Sequence, residues 1–318
     1  MPDTNLATRP ALDPAKFRDP DVTAKGEPRA SVPMTALRTL WFNTGSLCNI
    51  ACTNCYIEST PSNDRLVYLG ADEVRTYLDE VAREGWPVEE IGFTGGEPFL
   101  NRDLPQMLAE ALARGYRVLV LTNAMKPMQR YRDELLAVRP HASALTFRVS
   151  LDHYEREAHE EVRGAGTWAP AMAGLRWLAA SGFNLAVAGR ALWPEREDAL
   201  RAGFARVFAA EGIPVDAFDP GRLVLFPEMN VLSDVPEITT RCWQILDVDP
   251  STMMCASSRM ILKRKGEAAP VVVPCTLLPY DAAFELGSRL GEAVGPVKLN
   301  HPFCAQFCVL GGGSCSAS

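Results

Sequence analysis

Six short apolar runs alternate with helical stretches from about Leu37 onward, and that alternation constrains the chain more than any single motif does. The runs are "LRTLWFNT", "EEIGFTGG", "YRVLVLTNA", "ALTFRVSLDH", "NLAVAGRALW" and "GRLVLFPEM". The stretches between them repeat their apolar residues at helical spacing. In "ADEVRTYLDEVAREG", Val74, Leu78 and Val81 fall on one face before Gly85 ends the helix. The helix "DLPQMLAEALARG" has Asp103 as its expected N-cap, and "TWAPAMAGLRWLAASG" has Thr167. No tight hairpin joins consecutive runs, so parallel strands linked by helical crossovers are expected. The fold class is therefore α/β, a partial (β/α)6 TIM-like barrel over residues 37–240.

The flanks read differently. Residues 1–36 are rich in Pro, Asp, Ala and Arg without a sustained period, and are expected to be a mostly irregular lead-in. From Arg241 the alternation stops, and residues 241–318 hold six cysteines with only short periodic pieces. That segment is expected to be a small cysteine-rich C-terminal domain, organised by metal more than by a core. A net charge of −7 and a pI near 5.3 exclude a basic footprint for nucleic acid. No apolar run approaches the roughly 18–20 residues of a membrane span, and no signal-peptide core opens the chain. A cytoplasmic setting without a membrane partner is expected, where nine cysteines point to metal or redox chemistry rather than disulfides.

Reactive residue types gather at one end of the expected strands. Cys48, Cys52 and Cys55 follow the first, Gly95, Gly96, Glu97 and Pro98 close the second, and Thr122 and Asn123 end the third. Ser150 and Asp152 end the fourth, Arg190 the fifth, and Glu228 follows the sixth. In parallel barrels that end carries the active site. Taken singly, these residues have plainer readings: a strand–helix loop at the glycines, a turn at Thr122–Asn123, local backbone capping by Ser150 and Asp152, a surface charge at Arg190. The spacing Cys-x3-Cys-x2-Cys supplies three ligands, one fewer than a structural zinc site wants, and no second pair completes it at zinc-ribbon spacing. As an iron–sulfur site it leaves one iron of a four-iron cluster without a protein ligand, open to a substrate or cofactor.

That triplet, with "GGEP" on the next strand and "VSLD" and "HEEVRGAGTW" later, resembles the radical S-adenosylmethionine (SAM) superfamily, in the branch with SPASM or twitch C-terminal domains. The resemblance covers roughly residues 38–315. It implies that Cys48, Cys52 and Cys55 ligate a [4Fe–4S] cluster whose open iron is chelated by SAM. It implies that Gly95, Gly96 and Glu97 hold the methionyl amine, with Asn123 beside them, and that Ser150 bonds ribose or carboxylate. Arg163 or Arg190 would neutralise the carboxylate. The implied reaction is reductive cleavage of SAM to a 5′-deoxyadenosyl radical that takes hydrogen from a small-molecule or peptide substrate. Flavodoxin or ferredoxin would be the electron donor. Asp152 and Tyr56 are the candidate catalytic residues, with His153, Glu58 and Glu228 also placed at the mouth. One position departs from the family: an aromatic residue often precedes the third cysteine, where this chain has Asn54, with Tyr56 on the far side.

The C-terminal cysteines are Cys242, Cys255, Cys275, Cys304, Cys308 and Cys315. Cys255, Gly266 and Cys275 loosely resemble the opening of a SPASM or twitch domain, and "CAQFCVLGGGSC" its end. Six cysteines are too few for two fully ligated clusters. One auxiliary [4Fe–4S] cluster is expected, on Cys255 and Cys275 with two of Cys304, Cys308 and Cys315; zinc or free thiols are the competing reading there. "RMILKRKGEAAPVVVPC" has hairpin character with its turn near Gly266. For the whole chain, the alternative to an enzyme is a non-catalytic iron–sulfur or zinc-binding protein in assembly or sensing.

Overall fold

The computed structural model describes residues 10–312; Cys315 lies outside them. The expected strands form β2 (Thr39–Asn43), β3 (Glu90–Thr94), β4 (Arg117–Thr122), β5 (Leu145–Ser150), β6 (Asn184–Ala191) and β7 (Leu223–Pro227). They lie side by side in chain order, all parallel. Helices α1 (Ala71–Glu84), α2 (Leu104–Ala113), α3 (Lys126–Gln129), α4 (Arg132–Ala137), α5 (Arg156–Arg163), α6 (Trp168–Ala180) and α7 (Glu197–Glu211) return the chain between them. This is the partial TIM-like barrel that the alternation implies, because a parallel pair requires a crossover.

The sheet is larger than six strands. β8 (Ser258–Leu262), from beyond the repeating pattern, pairs parallel with β2, and β9 (Val271–Val273) pairs antiparallel with β8. Gly266 lies between them at φ +90°, in a connection where the left-handed backbone suits a residue without Cβ. The lead-in also contributes order: β1 (Ser31–Val32) pairs with β10 (Val297–Lys298). Nearby, the buried Arg29 guanidinium pairs with Glu237 at 2.5 Å.

Two apolar clusters hold these layers. One fills the space between the sheet and the helices, with Phe42, Phe93, Phe99, Phe147, Leu78 and Phe204 fully buried. The other lies toward the C-terminal segment and joins Trp41 and Leu119 of the sheet to Met260, Cys255, Cys275, Cys304 and Phe307. Trp41 fits because β3 presents Gly92 opposite it; a Cβ there would stand 2.3 Å from the indole.

Two expected caps act differently. The Asp103 carboxylate does not bond its own helix and instead accepts from the Ala71 amide at 3.1 Å, capping α1. The Thr167 hydroxyl donates to the Gly164 carbonyl, and the first amide of α6, Trp168 N, donates to Glu160 Oε1 at 3.2 Å. In each case a carboxylate from a neighbouring element satisfies the orphan amide, which local spacing does not reveal.

Candidate active site

The segment after β2 is held by backbone bonds before any cysteine is considered. Thr44 N donates to Thr94 O, Gly96 N to Gly45 O, and Glu97 N to Leu47 O, at 2.8, 2.9 and 3.0 Å. The two glycines make this approach possible. A Cβ on Gly96 would lie 2.2 Å from the Leu47 carbonyl oxygen, and Gly95 sits at φ +146° with its Cβ position 2.5 Å from Gly45 O. The "GGE" segment is therefore sewn directly to the cysteine loop. Farther along, Thr53 N donates to Val162 O at 2.7 Å, and Asn54 and Glu58 adopt left-handed φ of 55° and 50°.

One cavity at the C-terminal ends of the strands collects most of the residues singled out from sequence. Cys48, Cys52, Cys55, Tyr56, Gly95, Gly96, Asn123, Ser150, Asp152, Arg163 and Arg190 all line it. Cys48 is buried, while Cys52 and Cys55 are half-buried, and all three are free thiols. Burial pushes the Cys48 thiol up to about 12. Burial also raises Cys52, with the Arg163 charge opposing it. Such thiols ionise readily only when a cation compensates, which is what bound iron provides. Asn123 Nδ2 faces Cys48 Sγ at 4.0 Å and Asn49 Oδ1 at 2.9 Å.

Glu97 lies beneath the cavity. Its buried carboxylate accepts from Thr122 Oγ1, Asn123 N and Phe99 N at 2.7, 2.9 and 3.2 Å. Burial raises its pKa to about 7 against the pull of those donors. Arg163 forks onto Asp152 with contacts of 2.8 and 3.0 Å. The Asp152 amide donates to His159 Nδ1 at 3.2 Å, and burial lowers His159 to about 4, so the ring is neutral. Arg190 pairs with Glu228 and donates to Thr53 O at 3.2 Å. Both arginines thus arrive with acidic partners of their own.

Other positions differ from the sequence reading. His153 does not line the cavity: its Nε2 lies 3.3 Å from Glu195 Oε2, and its ring stacks on Tyr154. Glu58 stays outside that cavity, on an adjoining groove, paired with Arg65. Arg148, Phe226, Leu277 and Phe307 line the cavity without having been anticipated. For Arg148 a signal existed, since an arginine within a strand of a parallel sheet must face something polar. For Phe307 and Leu277 no local signal existed; they arrive from the far end of the chain.

A second, small cavity is lined by Cys255, Cys275, Cys304 and Cys308 together with Met253, Met254, Leu277, Leu278, Val297 and Leu299. Burial pushes Cys255 up to about 11 and Cys304 up to about 12. Cys242 stands apart, its Sγ accepting from Thr239 N at 3.4 Å. Among the described residues no three Cys, His, Asp or Glu side chains converge tightly enough for one metal ion. A cubane asks for less convergence, since each of its thiolates binds a separate iron. A groove lined by Cys55, Tyr56, Met229, Leu277, Tyr280, His301 and Phe303 adjoins the first cavity. No described helix is long and apolar enough to cross a membrane.

Comparison with known proteins agrees with this geometry. The sequence model of the Radical SAM superfamily matches residues 42–200, half of the chain. Fe-coproporphyrin III synthase of Methanosarcina barkeri is 32% identical over 139 residues, covering 42% of this chain and 32% of that protein. Mycofactocin maturase MftC of Mycobacterium ulcerans is 30% identical over 136 residues, covering 43% and 35%. The chain thus spans about a third of the length of these relatives. Among solved structures, Streptococcus suis SuiB bound to S-adenosylmethionine superposes with a TM-score of 0.58 at 11% identity, over 80% of this chain and 63% of that one. At that identity the likeness concerns the fold.

Proposed function

The chain belongs to the radical SAM superfamily of enzymes, and from that premise we propose that it cleaves SAM reductively to attack a C–H bond of a small-molecule or peptide substrate. The observation that carries the proposal is the gathering of three thiols, the glycine backbone and three arginines around one cavity. Cys48, Cys52 and Cys55 would hold a [4Fe–4S] cluster with one open iron. Family members use such a cluster with SAM to supply a 5′-deoxyadenosyl radical, an oxidant strong enough for unreactive C–H positions.

The chain's own residues bind and orient. Gly95 and Gly96 present backbone to the cavity; Asn123 and Ser150 add polar side chains from the neighbouring strand ends. Arg163 and Arg190 would face SAM's carboxylate while Asp152 and Glu228 fix their planes. The Asp152 carboxylate is held by the Arg163 fork, and its backbone amide donates to His159 Nδ1, so both ends of the residue are fixed at the cavity wall. Tyr56 faces both the cavity and the adjoining groove, which suits a residue that meets substrate. The groove is the path by which substrate would enter, and closure by Phe226, Leu277 and Phe307 would keep water from the reacting centre.

We read residues 241–318 as an auxiliary unit whose cavity would hold a second [4Fe–4S] cluster on Cys255, Cys275, Cys304 and Cys308. An electron donor of the flavodoxin or ferredoxin type is the expected partner. The test is anaerobic incubation of reconstituted protein with SAM and dithionite. 5′-Deoxyadenosine should form, and should vanish in the Cys48/Cys52/Cys55→Ala protein. Iron-replete wild-type protein that yields none would overturn the proposal.

A further inference from the structure

The two cysteine sites are joined by a short run of side-chain contacts that the motifs by themselves do not reveal. Gln306 lies between Cys304 and Cys308 and is buried. Its amide makes both of its bonds to one residue of the loop after β7: Asn230 N donates to Gln306 Oε1 at 2.9 Å, and Gln306 Nε2 donates to Asn230 O at 2.8 Å. One position along, Phe307 stacks on Phe226 of β7, with ring centroids 5.5 Å apart. The tail segment thus grips β7 and its loop on both sides of Glu228.

Glu228 passes the grip onward. Its Oε1 accepts from Asn54 Nδ2 at 2.8 Å, and its Oε2 pairs with Arg190. Arg190 in turn holds the Thr53 carbonyl at 3.2 Å. Thr53 and Asn54 are the two residues between Cys52 and Cys55. The Glu228 side chain is almost wholly buried, so its two partners are needed to offset desolvation of the carboxylate. A bare carboxylate there would cost far more than an exposed one, which fixes the geometry of all three groups.

We propose that Gln306 and Glu228 are positioning residues in series, by which the tail fixes the loop that carries Cys52 and Cys55. The inference rests on the reading of that loop as a SAM-binding cluster site. Neither residue's side chain donates to any of the three cysteines, and no described ion pair or hydrogen bond links Gln306 to that loop directly. The coupling therefore runs through the β7 loop and not through shared ligation.

The experiment uses the full chain, reconstituted without oxygen, and follows the part of the reduced electron paramagnetic resonance spectrum that changes when SAM is added. A chelator is then added and the decay of that component is timed. Gln306→Met preserves side-chain length and burial but removes both amide bonds; Glu228→Gln preserves shape but removes the charge. Each should speed the decay about fivefold or more, and the double variant should be no faster than the quicker single, as expected for residues acting in one chain. Asn54→Ala, which leaves the tail untouched, should do the same. Decay in Gln306→Met within twofold of wild type, or single effects that multiply in the double variant, would overturn the proposal. A wild-type spectrum that does not respond to SAM would instead overturn the underlying cluster reading.

Discussion

The two cavities present the same atom, a cysteine sulfur, among different neighbours. At the barrel mouth, Cys48, Cys52 and Cys55 share their walls with Arg148, Arg163, Arg190, Asp152, Asn123 and Ser150. In the tail, Cys255, Cys275, Cys304 and Cys308 are walled by methionine, leucine and valine. One cation near the tail cavity, Arg259, spends its guanidinium on the carbonyls of Cys255, Ser258 and Ala293, at 2.7, 2.7 and 2.8 Å. Arginine, aspartate and amide side chains in the wall suit three thiolates and a charged small molecule. A small apolar cavity suits four thiolates and nothing further, because an extra polar ligand would be desolvated without compensation. Leu277 lines both cavities, so a single side chain takes part in both walls.

The widest separation between the sites should appear on removing thiols. Changing Cys48, Cys52 and Cys55 together to Ala should abolish 5′-deoxyadenosine formation and remove about four irons per chain. Iron with thiolate-to-iron absorption should remain in the tail. If iron content is unchanged, the mouth is not a cluster site; if none remains, the tail binds zinc or nothing. Changing Cys255 and Cys275 to Ala is the reverse experiment. It should cost the tail's iron while the SAM-responsive signal survives, and loss of that signal would merge the two sites into one.

Polarity at the mouth can be tested without iron. Asp152→Asn leaves the mostly buried Arg163 without its bidentate anion and should lower the stability of the cluster-free protein by about 3 kcal/mol in a denaturant titration. An effect under 1 kcal/mol would mean that water already reaches the pair. None of the described residues that line the tail cavity is charged, so substitution of Leu278 by Ala there should act only through lost packing, on the order of 2 kcal/mol.

The smallest effect is a pH dependence that Glu97 partly offsets in the wild type. Glu97, raised to about 7, binds its proton more readily folded than unfolded, so its contribution to stability is lost as pH rises from about 4.5 through 7. His159, lowered to about 4, binds its proton less readily folded, so its contribution is lost as pH falls from about 6.5 through 4. Between about pH 4.5 and 6.5 these two slopes oppose each other. His301, likewise lowered to about 4 by burial, adds a second slope of the same sign as His159. In the cluster-free protein, Glu97→Gln should therefore steepen the loss of stability on acidification by roughly 1 kcal/mol per pH unit relative to wild type. A profile in that variant no steeper than the wild-type one would remove Glu97 from the account of the mouth.

The amino-acid sequence alone determined the six parallel strands and the end of the barrel at which Cys48, Cys52 and Cys55 gather with the polar residues of the strand ends. Those features are periodic or local: burial repeats with the geometry of each element, and Cys48, Cys52 and Cys55 sit on one short loop. It also indicated the hairpin around Gly266, because turn chemistry is local too. Tertiary structure decided the rest. Asp152 with Arg163, Glu228 with Asn54, Gln306 with Asn230, and the capping of α1 by Asp103 are side-chain meetings between separate elements, set by how helices and strands pack and not by spacing along the chain. The same holds for β8, whose apolar run reads like any short strand until it is found beside β2, 219 positions earlier in the chain. Patterns encode which face of an element is buried; which partner covers that face is decided only when the whole chain has closed.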